Sequence, residues 1–218
     1  MIRKALPEDV PGIAETMGAA FEHDPVVAWF WRKPARRREH VTGWYDLVAR
    51  THYLDHGEVY VAEEDGEIAG CAMWSRPGSW RLSTRAELAA TRYAVPRLGL
   101  RLPLASVAMR RIEARHPEPR HWYLSELGVR PPDQGRGLGS KLMFAILARC
   151  DEDRIPAYLE SSTEGSRALY ERHGFQTTEV LPLPRGGPPL WLMWRPSGVP
   201  DGHAHAGDDR AAERHLDE

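Results

Sequence analysis

The sequence predicts one mixed domain, α/β or α+β, with helices packed on a central sheet. Two observations carry this expectation. β-type runs and helical patterns alternate along the chain in the order strand, helices, hairpin, helices, strand, helix, strand, helix, strand, strand. A turn holding three glycines in six residues, "QGRGLG" (134–139), joins a strand directly to a helical pattern. With 218 residues and 42% hydrophobic content, the chain is long enough to bury one substantial core.

Each element has a local reason. "MIRKAL" reads as a short first strand, and Asp9 is the expected cap of a helix whose Val10, Ile13, Met17 and Phe21 share one face. Pro25 disfavours the helical conformation at Asp24 and ends that helix. The segment 27–56 is expected to be helical in its second half, where Val41, Trp44, Tyr45 and Val48 share a face. "VYVAEEDGEIAGCAMW" is a hairpin around Asp65-Gly66. Residues 83–116 read as two helices, "HWYLSELGV" as a strand, and Leu138 to Cys150 as a helix presenting Leu138, Leu142, Ala145 and Ile146. "AYLESS", "FQTTEVLPL" and "PPLWLMWRP" follow as strands, with "EGSRALYER" a short helix among them. The apolar run in "PPLWLMW", taken as a sheet edge, suits a homodimer.

Composition narrows the function classes. A formal net charge of −2 argues against a general nucleic-acid or anionic-membrane binder. Cys71 and Cys150 are far apart and without metal-ligand spacing, so they are expected as buried reduced thiols. No apolar run reaches the ~18 residues of a membrane span, and "MIRKALPEDV" has no apolar segment behind its basic residues. These features predict a cytoplasmic protein without membrane or nucleic-acid partners. The expected boundaries are a domain at 1–195 and a disordered polar tail at 196–218. The tail's His203 and His205 are not expected to bind metal, and no metal site is predicted elsewhere.

The glycine turn has two readings, a sharp turn or a phosphate cradle. A strand-to-helix turn points free N–H groups and the positive end of the helix at one place. Gly135, Gly137 and Gly139 keep Cβ atoms out of the way, and Arg136 adds positive charge. The spacing fits neither G-x-x-x-x-G-K-[ST] nor G-x-G-x-x-G, which excludes the standard ATP and dinucleotide motifs.

"QGRGLG" soon after a strand ending "LGV" resembles the GNAT acetyltransferase superfamily. There Q/R-x-x-G-x-G/A holds the pyrophosphate of acetyl-CoA, and Gln134, Gly137 and Gly139 fill that pattern. "IRKALPEDVPGI", "GEIAGCAMW" and "LYERHGF" are similar to further parts of the family, so the resemblance covers most of residues 1–195. Within the family the nearest likeness is to an antibiotic-inactivating member. The resemblance implies a mostly antiparallel central sheet and transfer of an acetyl group from acetyl-CoA to a small-molecule amine by direct attack. It implies that Leu127, Gly128 and Val129 hold the pantetheine arm through their backbone. It also implies that Gln134 to Ser140, including Gly135, Arg136 and Leu138, hold the phosphates, with Ser166 adding a hydrogen bond on the coenzyme side.

Tyr170 matches the family tyrosine proposed as general acid. The general base is expected at Glu126 or Glu160, with Tyr123 and Ser125 as secondary candidates. Period-two alternation puts Glu126 on the face of Leu124. Gly128 suits a strand that splays or bulges, and it lets a ligand approach closely. The acceptor is expected against "FEHDPVVAWFWRKP", with Phe21, Trp29, Phe30 and Trp31 for stacking and Asp24 or Glu22 for an ammonium. Two alternatives stay open: a protein or peptide amine as acceptor, and a non-catalytic acyl-CoA-binding sensor.

Overall fold

The computed structural model describes residues 1–198. Its seven strands form one sheet in the order β1-β2-β3-β4-β5-β7-β6. They are β1 (Ile2–Lys4), β2 (Gly57–Glu64), β3 (Glu67–Ser75), β4 (Trp122–Val129), β5 (Ala157–Ser161), β6 (Gln176–Pro182) and β7 (Pro189–Arg195). All neighbours are antiparallel except β4 and β5. The expected mixed fold with a mostly antiparallel sheet is therefore present.

The β2–β3 hairpin turns where its sequence requires. Asp65 (φ 52°) and Gly66 (φ 80°) both occupy positive φ, as a tight primed turn demands. Helix α1 (Val10–Phe21) buries Val10, Ile13 and Met17. Asp9, expected as its cap, instead turns back. Its carboxylate accepts the Leu6 N–H at 2.7 Å and the Arg3 guanidinium at 2.6 and 2.8 Å.

Asp24 is extended and caps α2 (Pro25–Phe30), after which α3 (Pro34–Val48) runs through a π turn (Ala49–Tyr53) into a last turn, α4 (Leu54–His56). The two helices expected in 83–116 are α5 (Thr84–Leu98) and α6 (Leu102–Glu113). Helix α7 (Leu138–Glu152) follows the glycine turn, and α8 (Glu164–Arg172) lies between β5 and β6.

The sheet buries apolar side chains on both faces. On one side α1 and α3 cover Val59, Val61 and Met73, and on the other Leu142, Met143 and Ile146 of α7 pack on Trp74, Leu124 and Leu159. At about 25 cal/mol per Å² of apolar surface removed from water, both layers contribute to the driving force for folding. Among the described residues no helix is long and apolar enough to cross a membrane.

Two sequence expectations need correction. The "PPLWLMW" strand is not a sheet edge: β7 pairs with β5 on one side and β6 on the other, so the apolar edge argued for a homodimer is covered. The reason is the Leu181–Leu190 hairpin, which folds β6 back along β7. Gly128 lies in the part of β4 that has splayed from β5, while the bulge falls at Ser125, because Met73 pairs with Glu126 and Trp74 pairs with Leu124. That extra residue moves Glu126 off the face of Leu124. Residues 199–218 of the expected tail, with His203 and His205, lie outside the described residues.

Candidate functional site

Pairing between β4 and β5 stops at Leu124 and Leu159, although both strands continue. Beyond that point lies a groove of about 770 Å³ that extends to the start of α7. It is lined by Leu127 to Val129, by the glycine turn, by Glu126 and Glu160, and by the α8 face carrying Ser166 and Tyr170.

The α7 end is built from backbone. Gly137 caps the helix in the left-handed region (φ 77°, ψ 6°), and Gly135 has φ 76°. A Cβ on either would meet no atom within 4 Å, so both face open space in a conformation that only glycine adopts readily. The first N–H groups of α7, at Leu138, Gly139 and Ser140, have no intrahelical acceptor. This is a fit for an anion. Gly139 differs, since a Cβ there would stand 3.3 Å from Leu169 Cδ2, so its smallness also serves the approach of α7 to α8.

Gln134 donates through Nε2 to the Val129 carbonyl at 2.9 Å and so fastens the turn to the strand. Arg136 does not line the groove. It is drawn aside to Asp133 Oδ1 at 2.7 Å and Glu64 Oε2 at 2.9 Å. Ser140 pairs with His173 Nε2 at 2.9 Å. Ser166 belongs to a hydroxyl cluster, 2.7 Å from Ser161 Oγ and 2.8 Å from Thr163 Oγ1, and Thr163 also caps α8. Gly128 admits helix α1: a Cβ would come within 2.7 Å of Met17 Sδ and 3.0 Å of Ala20 Cβ. A side chain at 128 would push α1 off the sheet.

At the other end stand two carboxyl groups and a phenol. Glu126 Oε2 accepts the Tyr45 hydroxyl at 2.8 Å. Burial pushes the Glu126 pKa up to about 8, the Tyr45 hydrogen bond opposes this, and the charges of Asp24 and Glu160 add to the rise. Glu160 accepts the Tyr123 hydroxyl at 2.7 Å, and burial lifts its pKa to about 7 against the pull of Tyr123 and Tyr158. The Tyr170 phenol is raised by burial and by the charges of Glu126 and Asp24, so it holds its proton at neutral pH. A neutral acid, two carboxyl groups with upward-shifted pKa values and a row of backbone donors thus share one groove.

The residues expected to grip an acceptor separate. Phe21 lines the groove, with its ring 5.5 Å from that of Tyr45. Asp24 also lines it, but its oxygens are already used. Oδ1 accepts the N–H groups of Val26 (2.9 Å) and Val27 (3.0 Å), and Oδ2 accepts the Ser162 hydroxyl. It ties α2 to the end of β5 instead of waiting for an ammonium.

Trp29 and Trp31 do not line the groove. Trp29 packs edge-on to Phe30 at 5.0 Å beneath Arg101, and Trp31 packs on His40 and Tyr93. Once Asp24 fixes the start of α2, these rings turn into the apolar clusters on either side. Tyr45 and Ser162 were not expected at the site. Tyr45 sits among Val41 and Val48 on an apolar helix face, so its sequence context reads as core, and Ser162 carries no signal at all.

The Acetyltransferase (GNAT) family profile matches residues 23–175. An uncharacterized N-acetyltransferase of Schizosaccharomyces pombe is 28% identical over 202 residues, which cover 86% of this chain and 80% of that protein. Among solved structures, a protein of Corynebacterium glutamicum described as histone acetyltransferase HPA2 and related acetyltransferase is similar at 25% identity and TM-score 0.68. That likeness covers 92% of this chain and 97% of the other. An N-acetyltransferase of Staphylococcus aureus Mu50 shares the fold at 17% identity and TM-score 0.57, over 89% of this chain and 99% of its own.

Proposed function

From the premise that the chain belongs to the Acetyltransferase (GNAT) family of acetyl-transferring enzymes, which use acetyl-CoA, we propose that it acetylates the amine of a small molecule by direct attack. The observation that carries this reading is the continuity of the groove from the α7 N-terminus to Glu126 and Tyr170. The N–H groups of the glycine turn and of the first turn of α7 hold the pyrophosphate. The unpaired edge of β4, Leu127 to Val129, holds the pantetheine arm and aims the thioester at the splay between β4 and β5. Glu126 takes a proton from the incoming amine, directly or through water, and Tyr170 gives one to the departing sulfur. Glu160 lies one strand further on and adds negative potential that favours the approach of an ammonium.

The finer likeness is to puromycin N-acetyltransferase. It rests on the run from "HWYLSELGVRPPDQGRGLGS" through "PAYLESS" and "LYERHGF" to "LWLMWRP", and it supports a small amine and an antibiotic-inactivating role. Phe21 is the one expected aromatic at the groove that remains available to stack on an acceptor. A protein amine as acceptor is the second reading, favoured by the likeness to the C. glutamicum protein. The sensor reading is disfavoured because Glu126 and Tyr170 converge on the groove that would hold the thioester.

Substituting the αL glycine tests the coenzyme end. Gly137→Val places a branched side chain at φ 77° with its Cβ in the open groove. Calorimetric titration should give an acetyl-CoA Kd weakened by at least about tenfold in a protein that still melts cooperatively. An unchanged Kd would remove the pyrophosphate from this turn.

A further inference from the structure

Helix α3 departs from regularity at one place, the π turn Ala49–Tyr53. Neither proline nor glycine stands in "ARTHY" to cause it. The Thr51 hydroxyl donates to the Leu47 carbonyl at 2.7 Å within the turn. Single π turns inside α-helices absorb one extra residue and occur often at functional sites.

The extra residue has a geometric result. Tyr45 and Tyr53 are eight residues apart, so in an uninterrupted α-helix they would point about 80° apart. With one residue absorbed, Tyr53 stands where the seventh residue would, within about 20° of Tyr45. Both rings are buried, and both reach β4 at its bulge. Tyr45 donates to Glu126 at 2.8 Å, while Tyr53 meets Ser125, the bulge residue, whose hydroxyl lies 3.3 Å from that of Ser75. One inserted residue in the helix thus faces one inserted residue in the strand.

We infer that the π turn and the β4 bulge form a matched pair that brings two phenols of one helix onto the strand, where Tyr45 is the positioning residue for the Glu126 carboxylate. This rests on the reading of Glu126 as the base, and it names the residue that sets the working pH of that base. The other titratable groups facing Glu126 are Asp24 before α2, Glu160 on β5, Tyr170 on α8, Tyr53, and Cys71 across on β3. Tyr123 faces it from its own strand. Among the described residues only Tyr45 donates a hydrogen bond to the carboxylate. The carboxylates around it act the opposite way, favouring protonated Glu126.

The sign follows. A phenol donating to the ionised carboxylate favours that form, so removing it raises the Glu126 midpoint further. The test is the Glu126 carboxyl midpoint by carbon NMR in the full chain, assigned by difference against Glu126→Gln, in the wild type, Tyr45→Phe and Tyr53→Phe. Tyr45→Phe should move the midpoint up by about one pH unit. Tyr53→Phe, whose hydroxyl meets Ser125, should leave it within a few tenths of a unit. An unmoved midpoint in Tyr45→Phe, or an equal shift in both variants, would overturn the inference. The base reading is tested separately by the acid limb of kcat/KM. If the midpoint shifts and the limb does not follow, Tyr45 still positions Glu126, but Glu126 is not the base.

Discussion

Glu126→Gln is expected to lower kcat/KM by about 10²- to 10⁴-fold at neutral pH, with acetyl-CoA bound as tightly as before. Glutamine keeps the shape of the side chain and can still accept the Tyr45 hydroxyl, so the variant removes little except the ability to take a proton. In the proposed reaction the environment of Glu126 suits it to act as base towards an alkyl amine. Burial, with Asp24 and Glu160 nearby, holds its pKa at about 8, far closer to working pH than the ordinary carboxylate value of 4.5. Because the base acts when deprotonated, kcat/KM of the wild type should rise with pH through about 8 and lose that acid limb in Glu126→Gln. Full activity in the variant would pass the role to Glu160 or to water alone.

The same group has a stability signature of known sign. A carboxyl whose folded pKa is raised from 4.5 to about 8 contributes its full stability below 4.5 and loses it as pH rises through 8. Glu126→Gln should therefore melt at a higher temperature than the wild type at pH 8, and the gap should narrow towards pH 4.5. A variant that is more stable and less active is the expected outcome where a site holds a group in a costly ionisation state.

Tyr170→Phe is the second large effect. Its phenol lines the groove and is kept protonated by burial and by the charges of Glu126 and Asp24, so the hydroxyl can donate as the sulfur departs. Removing it should lower kcat by at least about tenfold while the acetyl-CoA Kd stays within twofold, because the proposed role uses the phenol in the transition state. Rapid-quench turnover and calorimetric titration read the two quantities apart. Equal turnover would leave a different group as the acid.

Much of the fold was legible because it is written in local chemistry. Asp65-Gly66 needs positive φ twice, and a glycine-rich turn before an apolar helical pattern needs little tertiary context. Tyr170, which lines the groove, was singled out through the motif around it rather than through its own pattern. What escaped the sequence depends on single insertions or on distant partners. One extra residue at Ser125 reverses the facing of Glu126, and alternation cannot reveal an insertion it does not count. Tyr45 reaches Glu126 across 81 residues of chain, so no local pattern marks it as anything but core.

Asp24 was legible as a residue that matters but not as one already satisfied, since the partner of its second oxygen, Ser162, lies 138 residues away. Arg136 shows the same limit. Its charge sits beside the glycine turn in sequence, while Asp133 and Glu64 decide where the guanidinium goes.

The claim that the groove transfers acetyl groups is tested most directly by coenzyme A thiol release from acetyl-CoA across a panel of amines. The panel holds puromycin and other aromatic amines, aminoglycosides, amino acids and lysine peptides. Amine-dependent release confined to small amines, and abolished by Glu126→Gln, is the predicted result. Release with peptides alone would contradict the small-molecule reading. Silence across the panel in a protein that binds acetyl-CoA would contradict catalysis itself.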